Sequence, residues 1–193
     1  MNATLRRTVL IVAILNLAYF GIEFVVALRI GSVSLLADGV DFLEDASVNL
    51  LIFFALAWAA TVRARVGMAL ACILLVPALA LLWALWGKFT APVPPEPFAL
   101  SITGTGALAV NLLCAFLLAK FRAHSGSLTR AAFLSARNDA IANVAIISAG
   151  LVTAYLWTSV WPDVIVGLAI AAMNIDAAKE VWEAAHEEHK AAA

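Results

Sequence analysis

The stretch SLLADGVDFLEDASVNLL, residues 34–51, decides how this chain is read. Four acids, Asp38, Asp41, Glu44 and Asp45, fall within a segment otherwise apolar enough to lie in lipid. An acidic side chain near the bilayer centre costs about 2.5–3.5 kcal/mol even on a lenient insertion scale, so a cluster of them calls for a physical reason. On a helix turning about 100° per residue, Asp38, Asp41 and Asp45 share an arc of about 60° and form a stripe. Glu44 stands about 100° away from Asp45 and is placed to look toward a neighbouring helix. Carboxylates on one stripe repel at low dielectric, so they must be partly protonated, paired with a base, or neutralised by a bound cation. The plain alternative for Asp38 and Asp41 is that they sit in the interface at the start of the helix and complement its dipole. Asp45, deeper in the segment, leaves less room for that reading.

Working outward, the 193 residues are 64% hydrophobic and only 13% charged, with a mean hydropathy of +0.99, outside the range of ordinary soluble domains. About 20 apolar residues cross roughly 30 Å of hydrocarbon. Six such stretches are present, at about 9–29, 34–58, 66–87, 98–119, 131–155 and 160–180. The expected fold is therefore an all-α membrane protein of six transmembrane helices, with residues 1–183 as one domain and 184–193 as a short cytoplasmic tail. The start, MNATLRRTVLIVAILNLAYF, reads as a retained helix and not as a signal peptide, since Asn16 and Glu23 interrupt the run and no convincing cleavage site follows.

The net charge of −1 says little about partners, but the placement of the basic residues is one-sided. Arg6, Arg7, Arg63, Arg65, Lys120, Arg122, Arg130, Lys179 and Lys190 flank alternate ends of the spans, against Arg29 and Lys88 on the other side. The positive-inside rule then puts both termini in the cytoplasm. KFTAPVPPEPF is a proline-rich outer connection. GSVS and HSGSLT read as polar turns with helix-starting hydroxyls. Cys72 and Cys114 lie inside spans and read as packing residues. The chain carries no glycine-rich phosphate loop, no basic patch interleaved with aromatics and no Ser/His/Asp set, so nucleic-acid binding and enzyme chemistry are not expected.

A second polar stripe lies in AAFLSARNDAIANVAIISAG. Ser135, Asp139 and Asn143 recur every four residues, and Asn138 shares the same broad face. Two helices with polar faces imply one site between them. Arg137 is on roughly the opposite face, where it snorkels to headgroups or pairs with Glu44 or another buried acid. In the first span Asn16 and Glu23, seven apart, share a side and either line a polar path or bond across helices.

GSVSLLADGVDFLED, followed much later by SARNDAIANVAIISAG in a six-span chain with cytoplasmic termini, resembles the cation diffusion facilitator family of divalent-metal transporters. The resemblance covers nearly the whole chain. It implies a bundle in which the second span carries an acid or histidine four residues before an aspartate and the fifth a ligand four before another. Together these would form a tetrahedral metal site at mid-membrane. By motif, Asp41 and Asp45 are the second-span ligands and Asp139 the fifth-span aspartate, while Asp38 matches the acid that often precedes the pair.

Two departures matter. Ser135, a poor metal ligand, stands where the family has histidine or another ligand, which counts against a four-ligand zinc site unless Asn138 or Asn143 supplies an amide oxygen instead or water completes the shell. Glu44, Glu23 and Asn16 are accessory polar groups. Family members also commonly carry a cytoplasmic ferredoxin-like domain after the sixth span, and this chain reads as a short form ending before it. His186 and His189 read as a solvated tail and His124 as a loop residue.

The function implied is proton-coupled efflux of a divalent transition metal through a mid-membrane carboxylate site. The chain would act as a homodimer in a bacterial inner membrane, with the cation, protons and the lipid bilayer as its partners and no bound cofactor. A carboxylate shell without histidine moves manganese, cobalt and iron(II) up the list, with zinc and cadmium still open. The alternative is a non-transporting membrane subunit or metal-binding scaffold derived from such a transporter, in which the polar stripes only join helices.

Overall fold

A computed structural model of the chain describes residues 3–54, 79–121 and 127–173, with side chains in the last segment from 136 onward. Cys72, His124, His186, His189, Arg63, Arg65 and the side chain of Ser135 lie outside the described residues. Six helices and no strand are found among those described. They are α1 (Ala3–Ile30), α2 (Val33–Phe54), α3 (Leu79–Thr90), α4 (Pro97–Ala119), α5 (Ser127–Tyr155) and α6 (Trp161–Met173). Thr4–Ile30 and Pro97–Ala119 are by themselves long and apolar enough to cross a membrane. The acids of α2 and the polar stripe of α5 keep those helices from reading as purely apolar.

Four of these helices close into a ring. α1 packs along α2, α2 against α5, α5 along α4, and α4 back against α1. The ring is polar inside and greasy outside. Asn16, Glu23, Asp38, Asn111 and Asn143 are at most 1% exposed, whereas Ile102 and Phe116 of α4 are 72% and 77% exposed. That is the reverse of a water-soluble protein, and it is the arrangement expected where lipid surrounds the molecule and intramembrane polar groups face the bundle interior. Apolar layers seal both ends of the polar zone. Leu5, Val9 and Ile52 pack at one end, while Ala27, Leu35, Leu36, Leu100 and Ile146 fill the other.

The register of α2 is set where the chain turns back from α1. Gly31 takes a φ of 65°, the left-handed conformation that favours glycine just past a helix end. Ser32 N donates to Ala27 O at 3.0 Å, closing the α1 terminus. Ser32 Oγ then accepts from Leu35 N at 3.1 Å as the cap of α2. Asp163, at the start of α6, completes the cap. Its carboxylate accepts from Val33 N at 2.8 Å, Ser34 N at 3.2 Å, and the hydroxyls of Ser32 and Ser34 at 2.6 Å each. A buried carboxylate is well placed against the orphan donors and positive end of a helix N-terminus. Gly167, one turn further along α6, permits the approach, since a Cβ there would lie 2.7 Å from Val33 Cγ1 and 2.8 Å from Ser34 N. α4 begins after the proline-rich connection because Glu96 caps it, accepting from Phe98 N and Ala99 N, with Pro97 in the first turn.

Candidate cation site

Six residues after its cap, α2 brings Asp38 into the ring, fully buried. It is not an interfacial first-turn acid. Asn143 of α5 donates its amide to Asp38 Oδ2 at 2.5 Å, and Asn143 Oδ1 accepts from Asn111 of α4 at 3.0 Å. This chain of contacts joins α2, α5 and α4 at one depth. Across the ring Glu23 of α1, also fully buried, turns its carboxyl to that of Asp38 within bonding reach. Nearer the other end, Asn16 Oδ1 meets Cys114 Sγ of α4 at 3.6 Å.

About two turns further along α2 lies Asp45, 8% exposed. Asp139 of α5 turns its carboxyl to that of Asp45 within bonding reach. Asp41, half-buried, lies between the two levels on the same stripe and faces Asp139, Asp38, Asp45 and Glu44 electrostatically. α2 and α5 thus meet twice, through Asp38 and Asn143 and, four residues back along α5, through Asp45 and Asp139. The two helices run in opposite directions, with the two acids seven residues apart on α2 and their partners four apart on α5.

The positions expected from the sequence sort into three groups. Asp41, Asp45 and Asp139 come together between α2 and α5. Asp38, Asn143, Glu23 and Asn16 are buried at the ring's centre, where the amide of Asn143 is already engaged on both sides. Asn138 and Arg137 are exposed, with Arg137 donating to Asn138 Oδ1 at 3.3 Å, so Asn138 falls off the face that carries Asp139 and Asn143. Glu44 is half-buried beside this zone. Among the described residues no three His, Cys, Asp or Glu side chains close round a single point as a ready-made metal cage. The acids stand instead as pairs, Asp45 with Asp139 and Glu23 with Asp38, with Asp41 between them.

Two residues escaped the sequence reading. Asn111 is the amide in ALAVNLLCAF, an otherwise apolar run, and that isolation was the available signal. Asp163, in WPD at the start of α6, has the look of an ordinary first-turn acid; nothing local shows that it caps a different helix.

The cation efflux transmembrane domain matches residues 9–186, most of the chain and nearly all of the ring. The chain belongs to the cation efflux family. The resemblance read from the second- and fifth-span motifs is thus the family's own, and the ring of helices is a metal-cation transporter's membrane bundle. Among curated proteins none matches this chain. Within a cation efflux protein the placement of acids on facing stripes of α2 and α5 has a chemical sense. Oxygen donors that would repel each other in the absence of a counter-charge are brought to the protein interior from two different helices.

Proposed function

We propose that this cation efflux protein carries a divalent transition-metal cation across the membrane in exchange for protons, with Asp41, Asp45 and Asp139 as the carboxylate ligands. The observation that carries the reading is the contact between Asp45 and Asp139 across the α2–α5 boundary, with Asp41 facing the same pair. Two acids hydrogen-bonded in a low-dielectric interior share a proton, and a cation that takes its place must displace it. Binding and proton release are then one event. A cation would draw Asp41 toward the pair, and water or the hydroxyl of Ser135 would complete its shell.

An all-oxygen shell of this kind favours manganese, cobalt or iron(II) relative to a site built on imidazole or thiolate, while zinc and cadmium bind carboxylates as well. Rocking of α2 and α5 within the ring would open the carboxylates alternately to each side, with both termini cytoplasmic, residues 1–183 as the transport domain, a bacterial inner membrane as the location and a second copy as the working partner. The test is flux. Purified protein in sealed vesicles loaded with a metal-sensitive dye should admit one or more of these cations under a pH gradient, and Asp139→Ala should abolish the signal while the protein remains inserted. Normal flux in Asp139→Ala would refute the two-helix site. No flux of any divalent ion by the unaltered protein would favour the scaffold reading.

A further inference from the structure

We infer that Glu23 and Asp38 hold one proton between them, at a place of its own beside the cation ligands, and that this proton leaves when a divalent cation arrives. Only the last clause rests on the proposed exchange.

Glu23 is fully buried and neither of its carboxyl oxygens has a hydrogen-bond partner. Asp38 is fully buried too. Its Oδ2 accepts from Asn143, while Oδ1 has no partner. These two carboxyls lie within bonding reach of each other, yet an ionised carboxylate only accepts. Unprotonated, the pair would be two bare anions pressed together inside a bundle, each carrying a desolvation cost of several kcal/mol. Something positive belongs between them.

The geometry selects which positive species it is. Hard metal cations of the calcium and magnesium kind take about six to eight oxygen ligands. Glu23 and Asp38 offer three free oxygens, and the neighbouring amide of Asn143 is spent on Asp38 and Asn111. Among the described residues no basic side chain faces the pair in place of a metal. Among the described residues, the titratable groups facing the pair are Tyr19 of α1, whose hydroxyl donates to Thr103 O at 2.6 Å, Asp41 and Asp45 of α2, and Asp139 of α5. α4 contributes Cys114, which faces Asp45 and Asp139. All are acids or neutral. A proton asks for only two oxygens and leaves the pair with a single negative charge, which the amide of Asn143 already supports at Asp38 Oδ2.

The placement gives this proton a use. Asp38 is three residues, about 4.5 Å of helix rise, from Asp41. A divalent cation held by Asp41, Asp45 and Asp139 would put two positive charges beside the pair, and a nearby positive charge favours the ionised form. The O–H bond between Glu23 and Asp38 then breaks, the proton passes to water on the open side, and the two carboxylates are left ionised against the charge of the cation. Because the proton and the cation use different oxygens, neither has to leave before the other can bind.

The test uses the full chain in lipid vesicles and infrared difference spectroscopy. Wild type should show a protonated-carboxyl carbonyl band, shifted in heavy water, that is missing from Glu23→Gln and that falls when manganese, cobalt, zinc or cadmium is added. With a pH-sensitive dye, the protons released per cation bound should fall by about one in Glu23→Gln. A wild-type spectrum with no band attributable to Glu23 overturns the inference, as does unchanged proton release from a variant that still binds cation. Should Glu23→Gln fail to assemble, Glu23→Asp keeps a carboxyl on a shorter stem and must move the band; an unmoved band counts against the proposal. If no cation binds the wild type, the exchange reading fails, and the band before any metal is added still decides whether the proton is there.

Discussion

Asp163→Ala is the substitution whose cost can be worked most fully from the geometry. Asp163 is fully buried and caps a helix that is not its own, accepting from two backbone amides and two hydroxyls at the start of α2. The hydroxyls of Ser32 and Ser34, 3.3 Å apart, can turn to each other once the carboxylate is gone. The amides of Val33 and Ser34 cannot turn. Two buried donors left without acceptors cost about 1–3 kcal/mol each, and the loss of an anion at a buried helix N-terminus adds up to about 2 kcal/mol. The expected destabilisation is about 3–6 kcal/mol, among the largest a point substitution produces. Asp163→Asn keeps one oxygen for the hydroxyls and Ser34 N but turns a donor toward Val33 N, so it should cost about half as much. The assay is reversible denaturation of the purified protein in mixed micelles, followed by tryptophan fluorescence. A loss of under about 1 kcal/mol in Asp163→Ala, or equal losses in the two variants, would refute the cross-helix cap.

Three further outcomes are expected. Asn143→Leu should destabilise by about 2–5 kcal/mol in the same assay, because it strips Asp38 Oδ2 and the Asn111 amide of their partner in a buried place; Asn111→Leu leaves Asp38 with its donor and should cost less. Gly167→Val should cost about 1–3 kcal/mol through overpacking against Val33 and the backbone of Ser34, and limited proteolysis should then find the α1–α2 turn loosened. Ser135→His, which adds an imidazole one turn from Asp139, should raise zinc transport relative to manganese in competitive uptake; an unchanged ratio in a folded, active variant would remove Ser135 from the cation's shell.

What was legible in the sequence was whatever depends on one helix at a time. The stripe of Asp38, Asp41 and Asp45 follows from spacing alone, as does the placing of Asp139 and Asn143 one turn apart, and both recur in the folded chain. The apolar runs likewise located α4, found at Pro97–Ala119 against an expectation of 98–119. What could not be read was the rotation of one helix against its neighbour. Spacing put Asn138 on the same broad face as Asp139, but packing turns it out to Arg137. Nor does any local pattern say that Glu23 faces Asp38 from another helix, that Asn111 answers Asn143, or that the Asp163 carboxylate closes α2. Each of those depends on which side of α1, α4 or α6 is pressed into the ring, a matter of tertiary contacts such as the close approach at Gly167.

The central claim is that α2 and α5 hold one divalent cation between their carboxylates. Equilibrium dialysis of manganese, cobalt, zinc and cadmium against the purified chain measures it most directly, in the unaltered protein and in Asp45→Asn and Asp139→Asn, each checked for folding. The account predicts one ion bound per chain, lost in either variant although the two residues lie on different helices. Binding that survives in both would contradict it.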